Sequence, residues 1–312
     1  MSHNLSMHGM VGLLKRTGWF LPLLALLSVS FQPAAHGKNY PSLLVQGLIR
    51  LGYPLDREEV IAIDNISMRF DARNRIDVLT RILSDRPTIH ATKTGDAFLQ
   101  TEVICNALRL LDELDLEITR QLIEKLINEQ EWRPREQRLL SYMAAKRDID
   151  FNANAGFLIS SLSRQRADFE AEWGNEASLA ILDTCDNLSF LADLFIYKGD
   201  RAILNAMFNY AGQAYGYPKE YLSHMLMEIF LQRPRLFVDI LGENDRDRTH
   251  VVVNSLIFAI WTNDVKGKVD KLLADELSDE NYSANRVVHM LRTRLQSHAR
   301  PEENSGKPLT GH

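Results

Sequence analysis

Cysteine is almost missing from this chain: Cys105 and Cys185 are the two among 312 residues. A disulfide framework is thereby excluded as the source of its stability, and at most one bridge can form. Both sit in apolar, helix-patterned surroundings and read as buried free thiols. Proline (10) and glycine (16) are too sparse for a low-complexity chain. No apolar run reaches the roughly 20 residues of a membrane-spanning helix. A basic excess is also lacking, with 36 Lys and Arg against 41 Asp and Glu and a net charge of −5. Without that excess there is no electrostatic footprint for nucleic acid. The sequence contains no G-x-S-x-G turn, no G-x-x-x-x-G-K-[ST] loop and no G-x-G-x-x-G fingerprint. Those absences remove the commonest signatures of serine hydrolases, nucleotide-phosphate binding and dinucleotide binding.

The N-terminus reads as a secretory signal. Lys15 and Arg16 precede an apolar run of 13 residues, Trp19 to Phe31. Ala35 and Gly37 then supply small residues for cleavage before Lys38. No cysteine follows the run directly, so a lipid-anchored cysteine is not expected. On this reading residues 1–37 are removed, 38–298 form a helical domain, and the polar stretch 299–312 is a disordered tail. The mature chain is then secreted or periplasmic and keeps no stable membrane anchor.

Apolar residues recur at helical spacing through the whole middle of the chain. The clearest instance runs from Gly199 to Leu241. Asp200 is placed to cap a helix carrying Ile203, Leu204, Met207 and Phe208. Gly212, Gly216 and Pro218 interrupt the pattern, and Leu222, Met225, Leu226, Ile229 and Phe230 resume it. Pro234, within Arg233-Pro234-Arg235, is read as ending that helix, and Leu236, Phe237, Ile240 and Leu241 restart the period. Similar punctuation recurs at Gly95-Asp96 and Arg133-Pro134-Arg135, and again between Gly267 and Pro301. Spacings of this size belong to helical repeats, although no tetratricopeptide or ankyrin signature is present. Asp56 with Glu59 resembles a capping box. The run EVIAIDNISMRF mixes alternating and helical spacing and is read as helix, because no partner strand is evident. PTIHATKTGDA, from Pro87, is read as loop. The expected fold is all-α: stacked antiparallel helix pairs, HEAT-like or an irregular α-solenoid.

Candidate chemistry is thin. His224 and Glu228 share a helix face at i and i+4, and Met227 lies beside them. One such pair is short of the three or four ligands that a metal site uses. Glu170, Glu172 and Glu176 surround Trp173, a grouping compatible with two-carboxylate hydrolysis. Tyr215, Tyr217 and Tyr221 cluster around the Gly212–Pro218 turn. Tyrosines at the tip of a helical hairpin suit a binding rim, since they offer contact area at small entropic cost. These observations point to a secreted or periplasmic interaction or scaffold protein without a cofactor or metal. Its partner is expected to be a protein or peptide of the cell envelope, bound at Tyr215, Tyr217 and Tyr221. The alternative is an envelope hydrolase with paired carboxylates.

Overall fold

The computed structural model describes residues 40–66, 71–92, 97–114, 117–129, 132–162, 177–214, 216–278, 282 and 285–297. Among them every regular element is a helix, and no strand occurs. The signal segment, the polar tail, Tyr215 and the Glu170–Glu176 group lie outside the described residues. The chain divides into two compact units, Met1–Asp115 and Leu116–His312.

The first unit contains α1 (Tyr40–Arg50), α2 (Arg57–Asn65), α3 (Ala72–Ser84), α4 (Arg86–His90) and α5 (Ala97–Asp112). The ambiguous EVIAIDNISMRF run is helical from its start to Asn65, with Ile63 turned into the core. Its capping box forms as the sequence suggests: Glu59 N donates to Asp56 Oδ1 at 2.7 Å, and Asp56 N donates to Glu59 Oε2 at 3.0 Å. α5 packs against α1, α3 and α4 and is buried without a break from Gln100 to Leu108. Gly47 on α1 allows the close approach, because a Cβ there would come within 2.7 Å of Val103. The expected loop after Pro87 is corrected by α4. Proline lacks an N–H, but the first helical turn leaves N–H groups unpaired anyway, so proline opens a helix as readily as it ends one.

The second unit contains α6 (Glu117–Ile127), α7 (Pro134–Lys146), α8 (Phe151–Leu162), α9 (Ala177–Lys198), α10 (Arg201–Ala211), α11 (Gly216–Gln232), α12 (Pro234–Gly242), α13 (Arg246–Thr262), α14 (Lys266–Asp275) and α15 (Arg286–Ser297). Both Arg-Pro-Arg sequences open helices, with Pro134 starting α7 and Pro234 starting α12. The unit boundary falls between α5 and α6, inside the run that the sequence parallels with Gly199–Pro234. The joint between α9 and α10 is two residues long. Gly199 takes a left-handed φ of 70° and its N–H donates to Phe195 O. Asp200 then accepts from Ala202 N at 2.8 Å and Ile203 N at 3.2 Å, as its position predicts.

Three helices, α7, α9 and α11, lie side by side. Their contacts advance together along each pair. Arg135 and Arg138 of α7 meet Asp183 near the start of α9, and Tyr142 meets Phe190 and Asp193 further on. Ser189 of α9 meets Tyr221 early in α11, and Arg233 just past α11 donates to Ile196 O at the far end of α9. The three helices are therefore parallel. α8, α10 and α12 pack beneath and between them. One buried apolar cluster runs from Ala145 to Leu295 and includes Phe195, Phe208, Phe230 and Phe237. α13 closes it by packing on α10, α11, α14 and α15. Each amphipathic helix thus finds neighbours for its single apolar stripe.

Candidate functional site

The parallel layer of α7, α9 and α11 has a buried and a solvent side. On α9, Leu188, Leu191, Leu194 and Phe195 are buried, while Asp186, Ser189, Phe190 and Asp193 form a partly open stripe at i, i+3, i+4 and i+7. Neighbouring helices lean on this stripe from both sides. From α7, the Tyr142 ring stacks on Phe190 at 4.5 Å, and its hydroxyl donates to Asp193 at 2.5 Å. Lys146 lies 5.5 Å over the same ring, a favourable cation–π distance. From α11, the Tyr221 hydroxyl lies 2.5 Å from Ser189 Oγ.

Tyr217 stands one turn before Tyr221, the two rings 6.3 Å apart and tilted by 37°. It is 42% exposed, whereas Tyr221 is half-buried. The two therefore differ in kind: Tyr221 is a packing residue with its hydroxyl bound, and Tyr217 presents an open ring. The expectation that Tyr217 and Pro218 sit at a hairpin tip is corrected. α11 begins at Gly216, so both lie in its first helical turn, again because proline suits that turn. Tyr142 and Phe190, which extend the aromatic track, carry no local signal in the sequence. They meet across 48 positions of sequence.

A charged cluster lies at one end of this layer. Arg138 and Asp183 form a buried ion pair. Arg135 Nη2 donates to Asp186 at 3.0 Å, and its Nε lies 3.3 Å from Asp183. Asn187, on the same helix, donates to Leu158 O of α8 at 3.0 Å. The cluster pins α7 to α9 at a fixed register. It went unread in the sequence, where Arg135 served as a marker of the repeated Arg-Pro-Arg.

Both cysteines are free thiols and buried. Burial, with the nearby Asp186 carboxylate, pushes the Cys185 thiol up to about 12 from a usual value near 9. Burial pushes Tyr221 up to about 12 as well. The folded chain therefore holds these protons after the unfolded chain has released them. Their contribution to stability is complete below about pH 9 and is lost as pH rises towards 12. The urea midpoint is expected to fall across that window, and Cys185→Ala should make the fall shallower. Iodoacetamide should label Cys185 at pH 8 only once the protein is unfolded, since the neutral thiol is the unreactive form.

His224 forms a 2.7 Å contact with Asn263 Nδ2, and Met227 Sδ lies 3.9 Å from the same nitrogen. Glu228 is exposed. Among the described residues no group of three or more His, Cys, Asp or Glu is arranged to hold a metal ion. No helix among them is long and apolar enough to cross a membrane. No family model matches the chain, and no curated protein and no solved structure matches it either.

Proposed function

We propose that this chain is a secreted or periplasmic interaction protein, its helix pairs stacked in the manner of an irregular α-solenoid. A protein or peptide of the cell envelope binds along the open face of α7, α9 and α11. Tyr217 is the anchor, Tyr221 stands behind it as support, and Tyr215 precedes them in the chain. The observation that carries this reading is the 42% exposure of Tyr217 beside an aromatic track that is otherwise held in place by hydrogen bonds and stacking. An open ring on a rigid helical support binds at small entropic cost. The signal-like N-terminus supports export, with cleavage before Lys38, and mass spectrometry of the exported chain reads that position.

Capture from envelope extracts after mild cross-linking tests the binding face. Tyr217→Ala should lower capture about tenfold, the loss expected of a central aromatic contact, while the thermal midpoint stays where it is. Tyr221→Phe should retain capture, because it keeps the ring. It should cost about 1 kcal/mol of stability through loss of the hydrogen bond to Ser189. Equal capture by wild type and Tyr217→Ala would remove this reading.

A further inference from the structure

On the side of α11 that packs against α13, two unlike ligand atoms meet at one point. His224 and Met227 stand at i and i+3, so they are neighbours on one face of α11. Both reach Asn263, the residue that caps the end of α13. His224 Nδ1 lies 2.7 Å from Asn263 Nδ2, and Met227 Sδ lies 3.9 Å from the same atom. An imidazole lone pair and a thioether lone pair are therefore directed to a single place. Glu220 and Glu228, about one turn before and after His224, are exposed carboxylates that add negative charge nearby.

The amide that fills this place is oversubscribed. Asn263 Nδ2 also donates to Ala259 O at 2.7 Å, and that bond fixes which end of the amide is nitrogen. Its two N–H bonds face three acceptors: the Ala259 carbonyl, the imidazole and the sulfur. The carbonyl and imidazole contacts are short, so the sulfur is left with the weakest share. Because His224 accepts here, its Nδ1 carries no proton, which is the form in which imidazole serves as a ligand. Asn263 is exposed, and His224 and Met227 are partly open. An ion arriving from solvent reaches both lone pairs once the amide turns aside.

We infer that His224 and Met227 bind a soft monovalent metal ion, copper(I) or silver(I), in the place that the Asn263 amide takes up. The ligand types set the class of ion. Thioether sulfur selects soft ions, and imidazole suits copper. Zinc is held by three or four protein ligands, and no such set of His, Cys, Asp or Glu forms among the described residues. A soft monovalent ion is held by a pair of ligands in a linear or bent arrangement, and such a pair is what one helical turn supplies here.

Silver(I) titrated into the full chain, with isotope-labelled methionine methyl groups observed by NMR, tests this. The Met227 methyl signal, assigned by its loss in Met227→Leu, should shift and saturate, while zinc(II) leaves it in place. His224→Ala should weaken the silver affinity read at Met227 by about tenfold or more, the scale of lost metal contacts. Asn263→Ala should strengthen it about threefold, because the competing amide is gone. A merely structural role for these residues gives no such strengthening. Unchanged circular dichroism spectra verify that the variants fold. Met225 contacts Ser189 of α9 instead of Asn263, so Met225→Leu should leave the Met227 response as it is. The inference is overturned if silver leaves the Met227 methyl unmoved, if His224→Ala binds like wild type, or if Asn263→Ala fails to strengthen binding. A shift at Met225 without one at Met227 would place the ion near the buried Cys185 thiol and overturn it equally. The outcome is separate from that of the tyrosine face, since no substitution touches Tyr217 or Tyr221.

Discussion

Asp183→Ala is expected to destabilise the second unit by about 3–5 kcal/mol, the cost of breaking a buried ion pair from one side. The side chains of Arg138 and Asp183 are 3% and 1% exposed, and that of Arg135 is 8% exposed. Removing the shared carboxylate leaves two guanidinium groups facing each other in a site that water barely reaches. Neither can discharge itself, because arginine keeps its proton throughout the accessible pH range. Both arginines then lose the carboxylate that they share, and Arg135 keeps its bond to Asp186. The converse variant separates this explanation from simple loss of contacts. Replacing the pair together, as Arg138→Met with Asp183→Leu, should recover most of the loss, since an apolar pair of similar volume carries no desolvation penalty. Urea denaturation followed by tryptophan fluorescence measures both. Trp132, Trp173 and Trp261 fall in the second unit, and only Trp19 does not, so the signal reports mainly on the unit being tested. A midpoint for Asp183→Ala equal to wild type would mean that the cluster is solvated and holds nothing together.

Phe237→Ala should cost a similar amount, about 3–5 kcal/mol, for a different reason. Phe237 is 0% exposed, and its ring meets Phe208 edge-on at 5.2 Å and Phe230 edge-on at 5.4 Å. α10, α11 and α12 therefore share one aromatic joint. Truncation removes the transfer free energy of the ring and leaves a cavity that two further rings cannot fill without leaving their rotamers. Phe237→Leu keeps much of the volume and forfeits the edge-to-face geometry, so it should cost about 1–2 kcal/mol. The order Ala, then Leu, then wild type in the same urea titration is the expected outcome. If leucine proved as damaging as alanine, ring geometry would outweigh volume at this position.

Much of the helical pattern was legible because its causes are local. A carboxylate three or four positions before an apolar stripe caps a helix from local contacts alone, as Asp56 does before Val60 and Asp200 before Ile203. Proline was the weak point, since the same residue closes one helix and opens the next. α4 and the start of α11 were misplaced for that reason. The site was less legible. Tyr217 and Tyr221 look alike in sequence, and what distinguishes them is a hydroxyl on Ser189, 32 positions away. The arginine–aspartate cluster joins residues 45 to 51 apart, and no short-range pattern encodes such a pairing.

The proposed binding role of the α11 face is tested most directly by placing a photoreactive benzoylphenylalanine at position 217 and irradiating intact cells. Phe258 on α13, 46% exposed, provides a control position of similar ring exposure. Adducts of raised mass from position 217, with none from 258, are the predicted result. Adducts from 258 alone, or from neither position, would contradict the account.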